Sequence, residues 1–385
     1  MILPPATLGM LGGGQLGRYF VIAAQQLGYK VMVLDPDENS PAGRIADHHL
    51  VAAYADSEAL THMAVSCSAI TTEFESVPAE TLAYLARFIP VQPSAEALAI
   101  CQERSAEKGF LKKHGLPHAP YADIRSEGDL QDVPDSLFPG ILKVARFGYD
   151  GKGQIRVKDK AACRAAFRQF NHEPCVLEKQ MQLEHELSLV LTRSAAGQTK
   201  CFPVAENHHQ QGILDHSIVT AERASDALAA EASALAEKIA ASLDYVGTLS
   251  VEFFVVDGRL CVNELAPRPH NSGHYTLDAC LTNQFEQQVR ALCGLPLGDV
   301  SAHSAAVMVN LLGDLWFAGN PEQASEPEWE KLLAYPDLKL HLYGKHEARP
   351  GRKMGHFTVL GETLEQPYRI AMAARAAIGI SARRE

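Results

Sequence analysis

The chain has 385 residues, of which 46% are hydrophobic and 21% charged, and its formal net charge at pH 7 is −11. This length and composition predict two or three folded domains with a large core. The negative charge argues against a general nucleic-acid-binding protein, because such proteins normally present a basic face. The sequence has no apolar run near the roughly 18 residues that span a bilayer. We therefore expect a cytoplasmic protein that binds neither nucleic acid nor membranes, with its eight scattered cysteines reduced.

The first forty residues have the pattern of a strand, a glycine-rich turn, a helix and a second strand. We predict strands at residues 6–11 and 30–34 and a helix at 18–27, with Gly12, Gly14 and Gly17 in the turn. This GxGxxG spacing, followed by an acid at Asp35, is typical of dinucleotide-binding domains. Any doubly wound sheet also needs a tight turn after its first strand, so the motif leaves both interpretations open.

Two acids follow the third predicted strand, residues 69–74. Glu73 and Glu75 would lie at the carboxyl end of that strand, where open α/β sheets bind their ligands. The alternative is acidic charge at the start of the next helix, which we predict at residues 78–88. The change in composition at residues 91–94 predicts the first domain boundary.

A lysine lies inside an apolar strand in the second predicted domain. A helical pattern at residues 95–114 carries Arg104, and a strand, a glycine-rich loop and another strand follow at 139–158. Lys143 lies in the first of these strands, where a buried ammonium needs an anionic partner. The glycines between Gly148 and Gly153 would let backbone N–H groups approach phosphate oxygens. A plain hairpin with a mobile tip is the alternative.

The next stretch alternates strands with helices. Asp159 is predicted to cap a helix that ends at Phe170, and the strand at residues 175–181 carries Glu178. Its sequence resembles an edge that binds adenine through backbone hydrogen bonds while a carboxylate binds the ribose hydroxyls. Further strands are predicted at 186–193 and 199–205. The pair His208 and His209 lacks a third ligand at zinc-finger spacing, and a long helix is predicted at 221–243.

Two strand-like runs flank Asp257-Gly258 and predict a hairpin. Its arms carry Glu252 and Glu264, with Asn263 beside the second acid, and oxygen ligands of this kind suit Mg²⁺. Solvated acids on an edge hairpin are the alternative. A two-residue loop would pair Glu252 with Asn263 and place the acids on opposite faces. One shared metal site therefore predicts a three-residue loop or a bulge, with Gly258 left-handed, that pairs Glu252 with Glu264.

Polar residues crowd the segment after the hairpin, and cations crowd a stretch near the C-terminus. Arg268, His270, Asn271 and His274 fall within seven residues. Residues 339–353 hold five cations against one acid, including Arg352 immediately after a Pro-Gly turn. Such a fork of cations suits a phosphate group, although a solvated basic loop is the alternative.

The order of these motifs resembles the ATP-grasp superfamily. The strings GGGQLGR, FGYDGKGQ, HHQQGIL, NELAPRPHNSGH and RPGRKMGH resemble its N5-carboxyaminoimidazole ribonucleotide synthetase family, and the likeness spans about residues 6–360. It implies an α/β fold, α+β in the ATP-grasp lobes, and a homodimer. It also implies a Rossmann-like domain at 1–94, an ATP-grasp domain at 95–300 with its small lobe at about 120–205, and a C-terminal domain at 301–385 that completes the substrate site.

The resemblance also implies roles for individual residues. ATP and Mg²⁺ would be the cofactors, and Glu252 and Glu264 would bind the metal. The implied ATP-binding residues are Arg104, Lys143, Gly148, Tyr149, Asp150, Gly151, Lys152, Gly153, Gln154, Glu178, Lys179, Gln180, Met181, Glu186, His209, Asn263 and Glu264. The implied substrate-binding residues are Gln15, Leu16, Glu73, Glu75, Asn271, Ser272, Lys345, Arg352 and Lys353. The implied catalytic residues are Lys143, Asp150, Arg268 and His270.

The implied reaction is carboxylation of 5-aminoimidazole ribonucleotide by bicarbonate, with ATP hydrolysis and a carboxyphosphate intermediate. Asp150 would orient or deprotonate the amine. Three other functions remain open on the sequence alone: an NAD-dependent oxidoreductase, a non-catalytic nucleotide sensor, and a formate-using transformylase of the same superfamily.

Overall fold

The computed structural model describes residues 1–146, 148, 153–220, 225–320 and 322–380. The strands within these residues are β1 Thr7–Leu11, β2 Lys30–Leu34, β3 His48–Leu50, β4 Ala69–Thr72, β5 Tyr121–Ile124, β6 Gly140–Val144, β7 Gln154–Val157, β8 Cys175–Lys179, β9 His185–Arg193, β10 Thr199–Cys201, β11 Ala205–Gln210, β12 Ile213–Val219, β13 Gly247–Val256, β14 Arg259–Ala266, β15 Ala305–Leu312, β16 Leu338–Leu342 and β17 Lys353–Gly361.

The α-helices of the same residues alternate with these strands. They are α1 Gln15–Gln26, α2 Ser57–Ser66, α3 Ala79–Leu85, α4 Ala95–Gln102, α5 Arg104–Lys113, α6 Asp129–Asp132, α7 Lys160–Gln169, α8 Asp226–Ser242, α9 Thr276–Ala279, α10 Gln284–Leu292, α11 Glu330–Leu333 and α12 Glu365–Ala377. Within the described parts of the chain, no helix combines the length and the apolarity that crossing a bilayer requires. All eight cysteines fall in these parts and are unpaired, as predicted.

The N-terminal sheet is parallel, with strand order β3-β2-β1-β4. Strands β1, β2 and β4 are mostly buried, and α1 packs against this sheet through residues such as Phe20. The same cluster includes Phe285 and Val289 of α10, so this sheet packs directly on the second predicted domain. The α1 helix begins at Gln15, three residues earlier than predicted.

The predicted helix at 95–114 is two helices. Glu103 adopts an extended conformation between α4 and α5, with φ −127° and ψ 117°. The break lets the Arg104 N–H donate to the carbonyl of Ala145, at 2.8 Å. This hydrogen bond ties the start of α5 to the strand region that carries Lys143.

The small sheet is antiparallel, with order β5-β8-β6-β7. Its helix α7 is capped by Asp159, whose carboxylate accepts the Ala162 N–H at 2.8 Å, and Phe170 is its C-cap, so this helix prediction is confirmed. The predicted start of the helix at 221–243 lies outside the described residues. The described helix α8 begins at Asp226 and is capped by Ser225.

The large sheet has order β14-β13-β9-β11-β12-β15-β17-β16, and β10 pairs with β9. Strands β9 and β10, which the sequence analysis placed in the small lobe, therefore belong to this sheet. Strand β15 follows the predicted boundary at 300/301 and pairs with β12, with His216 opposite Val309. The sheet runs without a break through the position of that boundary.

The last described helix, α12, packs on β15 and β17 and shares a hydrophobic core with them. Arg375 of this helix donates to both carboxylate oxygens of Asp215, at 2.6 and 2.9 Å. Arg375 is 4% exposed and Asp215 8%, so the pair is buried. The ion pair joins the C-terminal helix to strand β12.

Candidate active site

A cavity of about 960 Å³ lies where the N-terminal sheet, helix α5, the small sheet and the large sheet meet. Its walls bring together Glu75, Arg104, Lys143, Gly148, Gly153, Gln154, Glu186, His209, Glu252, Asn263, Glu264, Arg268, His270, Asn271 and Lys353, all of them predicted site residues. Tyr149, Asp150, Gly151 and Lys152, which were also predicted, lie outside the described residues.

The hairpin register prediction is confirmed. Glu252 pairs with Glu264, and the register shifts between Glu252 and Phe253, so that Asn263 is the bulged residue. The loop itself has two residues, and both are left-handed, with φ of 49° at Asp257 and 68° at Gly258. The bulge therefore places the two acids on one face of the hairpin.

The two acids differ in their neighbours, because Glu264 lies 3.3 Å from Arg104 whereas the charged form of Glu252 is disfavoured. Burial and the neighbouring Glu264 raise the pKa of Glu252 to about 7, while His209 opposes the shift. Asn263 donates from Nδ2 to Glu252 at 3.4 Å, and its buried Oδ1 accepts no hydrogen bond from the described residues. Two carboxylates and one unsatisfied amide oxygen are a set of donors that fits Mg²⁺.

A cluster of cations surrounds a buried carboxylate beside the hairpin. We call it the Glu178 cluster, and its members are Arg104, Lys108, Lys143 and Glu178. Arg104 Nε lies 2.8 Å and Lys143 Nζ 3.0 Å from the Glu178 carboxylate, with Lys108 Nζ at 3.8 Å. Burial alone would raise the pKa of Glu178, but these cations hold it well below its ordinary value.

The Glu178 cluster shows which anion pairs with Lys143 and which groups surround Glu178. Lys143 has a protein partner, because Glu178 supplies the anion that its burial requires. Burial and Arg104 nevertheless lower the pKa of Lys143 to about 8. The Glu178 carboxylate binds these three cations, so within the predicted ATP-binding set its contacts are to the phosphate-facing side chains Arg104 and Lys143.

The predicted adenine edge is also partly occupied by the fold. The N–H groups of Lys179 and Gln180 donate to the carbonyls of Pro120 and Pro139, both at 2.9 Å, so these two donors are used by the fold. Glu186, which was predicted to lie near the nucleotide, lines the cavity. It lies 3.0 Å from His209, whose pKa it raises against the effect of burial.

The apolar walls of the cavity were missed by sequence reasoning. Ile141, Leu183 and Phe254 line it and offer the flat apolar surfaces that a base requires. Ile141 lies two residues before Lys143, and Phe254 two residues after Glu252. Strand alternation places such residues on the same face as the predicted ligand, and this signal could have identified them.

The glycine-rich turn is filled by the protein's own acids. Gly14 and Gly17 donate their N–H groups to the Glu73 carboxylate, and Gly13 donates to Asp35 at 2.7 Å. A Cβ at Gly12 would clash with the Glu73 side chain. The groups that would bind a pyrophosphate are thus used internally, which argues against the dinucleotide interpretation.

Of the two candidate substrate acids, Glu75 lines the cavity, whereas Glu73 holds this turn.

The segment after the hairpin presents an arginine, a histidine and an asparagine to the cavity. Arg268 donates to both oxygens of Glu75, at 2.5 and 3.0 Å. The side chain of Asn271 is 5% exposed, and neither of its amide atoms has a partner among the described residues. An unsatisfied buried amide at a cavity wall is suited to bind a polar ligand.

His270 is held in one tautomer. Its Nδ1 accepts from the Ser272 N–H at 3.3 Å and lies 2.8 Å from the Ser272 hydroxyl, so the ring proton belongs on Nε2, 3.5 Å from Glu252. Burial and then Arg268 keep the pKa of His270 well below its ordinary value. His270 is therefore a neutral donor directed at the acid pair.

Of the three cations predicted to bind the substrate phosphate, Lys353 lines the cavity, and Lys345 lies beside it. Lys345 donates to Gln15 at 2.9 Å and to the carbonyl of Lys353, while the Lys353 side chain lines the main cavity. Arg352 donates to the carbonyl of Glu347 at 2.7 Å and is not one of the cavity-lining residues. The side chain of Leu16 packs in the core, so only its backbone could contact a substrate.

Three family models match the chain. They describe a ribonucleotide synthetase preATP-grasp domain at residues 5–102, an ATP-grasp domain at 109–285 and a phosphoribosylaminoimidazole carboxylase C-terminal domain at 306–368.

Relatives and solved structures resemble the chain over nearly its whole length. The N5-carboxyaminoimidazole ribonucleotide synthase of Bacillus subtilis (strain 168) is 44% identical over 362 residues, which is 94% of this chain and 93% of the relative. The ADP complex of an N5-carboxyaminoimidazole ribonucleotide synthetase has a TM-score of 0.90 at 42% identity and covers 97% of both chains.

A fungal structure carries both kinds of ligand. The synthase from Aspergillus clavatus, in complex with ADP and 5-aminoimidazole ribonucleotide, has a TM-score of 0.86 at 29% identity and covers 97% of this chain and 98% of its own. With the site geometry and these relatives in agreement, the chain belongs to the N5-carboxyaminoimidazole ribonucleotide synthase family of ATP-grasp ligases.

Proposed function

We propose that the cavity carries out the reaction of its family in the following way. The enzyme uses ATP and bicarbonate to carboxylate the exocyclic amine of 5-aminoimidazole ribonucleotide, giving N5-carboxyaminoimidazole ribonucleotide, ADP and phosphate. One observation supports this mechanism most directly. The acid pair Glu252 and Glu264 lines the same cavity as the cations Arg104 and Lys143. A nucleoside triphosphate needs both, because its phosphates bind cations directly and through a metal ion.

The acid pair and Asn263 would hold Mg²⁺ through their carboxylates and the amide Oδ1. When bound, the ion supplies positive charge against the phosphate oxygens. Arg104 and Lys143 of the Glu178 cluster face the same space, and the cluster has three cations to one buried carboxylate. Its excess positive charge attracts the phosphates and favours charge development on the transferred phosphoryl group.

Bicarbonate would bind beside Arg268 and the Nε2–H of His270. An oxygen of bicarbonate attacks the γ-phosphorus of ATP, ADP leaves, and carboxyphosphate forms. The guanidinium of Arg268 is shared with Glu75 in this structure. The entering anion must therefore compete with Glu75 for the N–H donors of Arg268. This competition favours a dianion such as carboxyphosphate over monoanionic bicarbonate.

Carboxyphosphate then releases phosphate as CO₂ is transferred to the amine, which loses one proton as the new carbon–nitrogen bond forms. Asp150, which lies outside the described residues, remains our candidate for orienting or deprotonating the amine. Asn271 would bind the aminoimidazole with its unsatisfied amide, and Lys345, Arg352 and Lys353 would bind the ribonucleotide phosphate. Enclosure matters because water would destroy the intermediate.

We also propose a homodimer in the cytoplasm. Both are expectations from the family, and sedimentation of the purified protein together with cell fractionation would test them.

An ADP-release assay with each acid and amine in turn tests the proposed reaction. We expect ADP release that requires both bicarbonate and 5-aminoimidazole ribonucleotide, with formate inactive as the one-carbon donor. Formate-dependent ADP release would instead indicate a transformylase. Binding of ATP without any ADP release would indicate a nucleotide sensor. A change in nicotinamide fluorescence on titration with the protein would support the oxidoreductase alternative.

A further inference from the structure

A completely buried lysine lies between the acid hairpin and the phosphate-binding cations. Lys108 is 0% exposed and lies on α5, four residues after Arg104. Its ammonium donates to the carbonyl of Asn263 at 2.9 Å and lies 3.8 Å from the Glu178 carboxylate. The mechanism above counts this lysine only as part of the positive charge of the Glu178 cluster.

The carbonyl that Lys108 contacts belongs to the bulged residue. Asn263 has no residue opposite it on β13, and the bulge at this point is what puts Glu252 and Glu264 on one face. A bulge disrupts the ladder locally, so its backbone groups need other partners. Lys108 supplies one of them from the side of the hairpin that faces away from β13.

The preceding residue of the same helix supplies a second partner. Glu107 accepts the N–H of Leu265 at 2.9 Å and is 2% exposed. Strand β14 is the end strand of the large sheet, so its outer edge meets α5 where another strand would otherwise pair. Adjacent side chains of α5 thus hold the backbone on both sides of Glu264.

We propose that Lys108 is a positioning residue that fixes the bulge, and with it the acid pair, against the Glu178 cluster. Arg104 also bridges the two parts, since it lies 2.8 Å from Glu178 and 3.3 Å from Glu264, but it contacts the acid side chain. Lys108 instead contacts the backbone of the bulge as well as Glu178, so it fixes the bulge relative to the cations. This inference rests on the metal site proposed above. A lysine that only neutralised Glu178 would stabilise the fold without controlling the hairpin backbone.

The test compares Lys108→Met with Lys113→Met, an exposed lysine of the same helix. Two quantities are measured on the folded proteins: hydrogen–deuterium exchange of residues 259–266, and the Kd of Mn²⁺ in the presence of ADP by titration calorimetry. We expect Lys108→Met to speed exchange at least tenfold in this segment and to weaken Mn²⁺ binding at least tenfold. Lys113→Met should match the wild type in both.

Unchanged exchange and a Mn²⁺ Kd within twofold of the wild type in Lys108→Met would overturn the proposal. Loss of stability alone, with the exchange of β14 and Mn²⁺ binding unaffected, would also overturn it and leave Lys108 as a partner of Glu178 only. If Lys108→Met fails to fold, Lys108→Gln is measured in its place, because its shorter polar side chain leaves the ammonium contacts broken.

A third variant separates this proposal from the metal site. Glu264→Gln should weaken Mn²⁺ binding at least as much as Lys108→Met does, without speeding exchange to the same extent. If Glu264→Gln binds Mn²⁺ as the wild type does, the metal site is elsewhere, while the exchange measurement still decides whether Lys108 holds the bulge.

Discussion

Glu252 lies directly opposite Glu264 across the β13–β14 hairpin, although the two-residue turn between these strands would by itself pair it with Asn263. The extra residue in β14 corrects the register one step before the acids. Both carboxylates consequently face the cavity that also holds the Glu178 cluster. A regular ladder with this turn would place the two acids on opposite faces of the hairpin. The bulge therefore provides the arrangement that a site with two neighbouring acids needs.

Glu73 should be more important for stability than for substrate binding. Its carboxylate accepts the N–H groups of Gly14 and Gly17, and its side chain is 8% exposed. In Glu73→Gln an amide NH₂ would face one of these donors, so we expect the free energy of unfolding to fall by about 1–3 kcal/mol. Urea denaturation measures this change. A variant as stable as the wild type, with a raised KM for the amino ribonucleotide, would return Glu73 to the substrate site.

Lys143→Met should lose ATP turnover far more than it loses stability. Glu178 keeps Arg104 and Lys108 as partners in the variant, so the fold retains a neutralised carboxylate. We expect kcat/KM for ATP to fall at least about 100-fold, or about 2.7 kcal/mol, with a melting temperature within a few degrees of the wild type. Normal ADP release by the folded variant would disprove the assignment of Lys143 to the phosphates.

The pH dependence of the reaction should report the same lysine. Because the pKa of Lys143 in the free enzyme is lowered to about 8, its positive charge is present below that pH and is lost as the pH rises through it. We expect kcat/KM for ATP to fall above pH 8, since this parameter reports groups of the free enzyme. Lys143→Arg keeps its charge at these pH values and should flatten the alkaline limb. An unchanged limb in that variant would assign the titration to another group.

Lys345→Ala and Arg352→Ala should raise the KM for the amino ribonucleotide by tenfold or more, about 1.4 kcal/mol. The phosphate of this substrate is remote from the reacting amine, so its binding energy holds the substrate in place. Because Lys345 also contacts Gln15, its removal loosens a predicted substrate residue as well. The KM for ATP should change little in either variant. An equal loss of ATP affinity would move the phosphate site elsewhere.

Arg375→Met should destabilise the protein strongly, because it leaves the buried carboxylate of Asp215 without its bidentate partner. Breaking one side of a buried ion pair typically costs about 3–5 kcal/mol. Arg369→Met, on the exposed side of the same helix, is the matched control and should change the free energy of unfolding by less than about 0.5 kcal/mol. Equal, small effects of both substitutions would show that helix α12 does not depend on this ion pair.

Local patterns were sufficient for the hairpin and its bulge. The turn residues, the two acids and the demand for one shared face together predicted that Glu252 pairs with Glu264. The cap at Asp159 was equally local, because its carboxylate bonds a backbone N–H three residues away. Such features depend on residues close in sequence, where spacing carries the geometry.

The contacts that the sequence did not predict join residues distant in sequence. Glu178 was predicted to lie at the ATP site because its strand resembles an adenine edge, but its partners Arg104 and Lys143, 74 and 35 positions before it, were not predicted. Glu73 was an open candidate for substrate binding, and the glycine turn 56 to 59 residues earlier uses it internally. Charge and strand position predicted that these acids lie near the site, but no local pattern could specify their partners.

The pairing of β12 with β15 affects how the chain folds while it is being synthesised. Strand β12 ends at Val219, and its partner begins at Ala305, so roughly 85 residues must emerge before this edge can close. At about 5–20 residues per second, a nascent chain would carry an unpaired apolar edge for roughly 4–17 s. Such an edge is a template for pairing with other chains. We therefore expect fragments that stop near residue 300 to aggregate, and the chain to depend on chaperones during this interval.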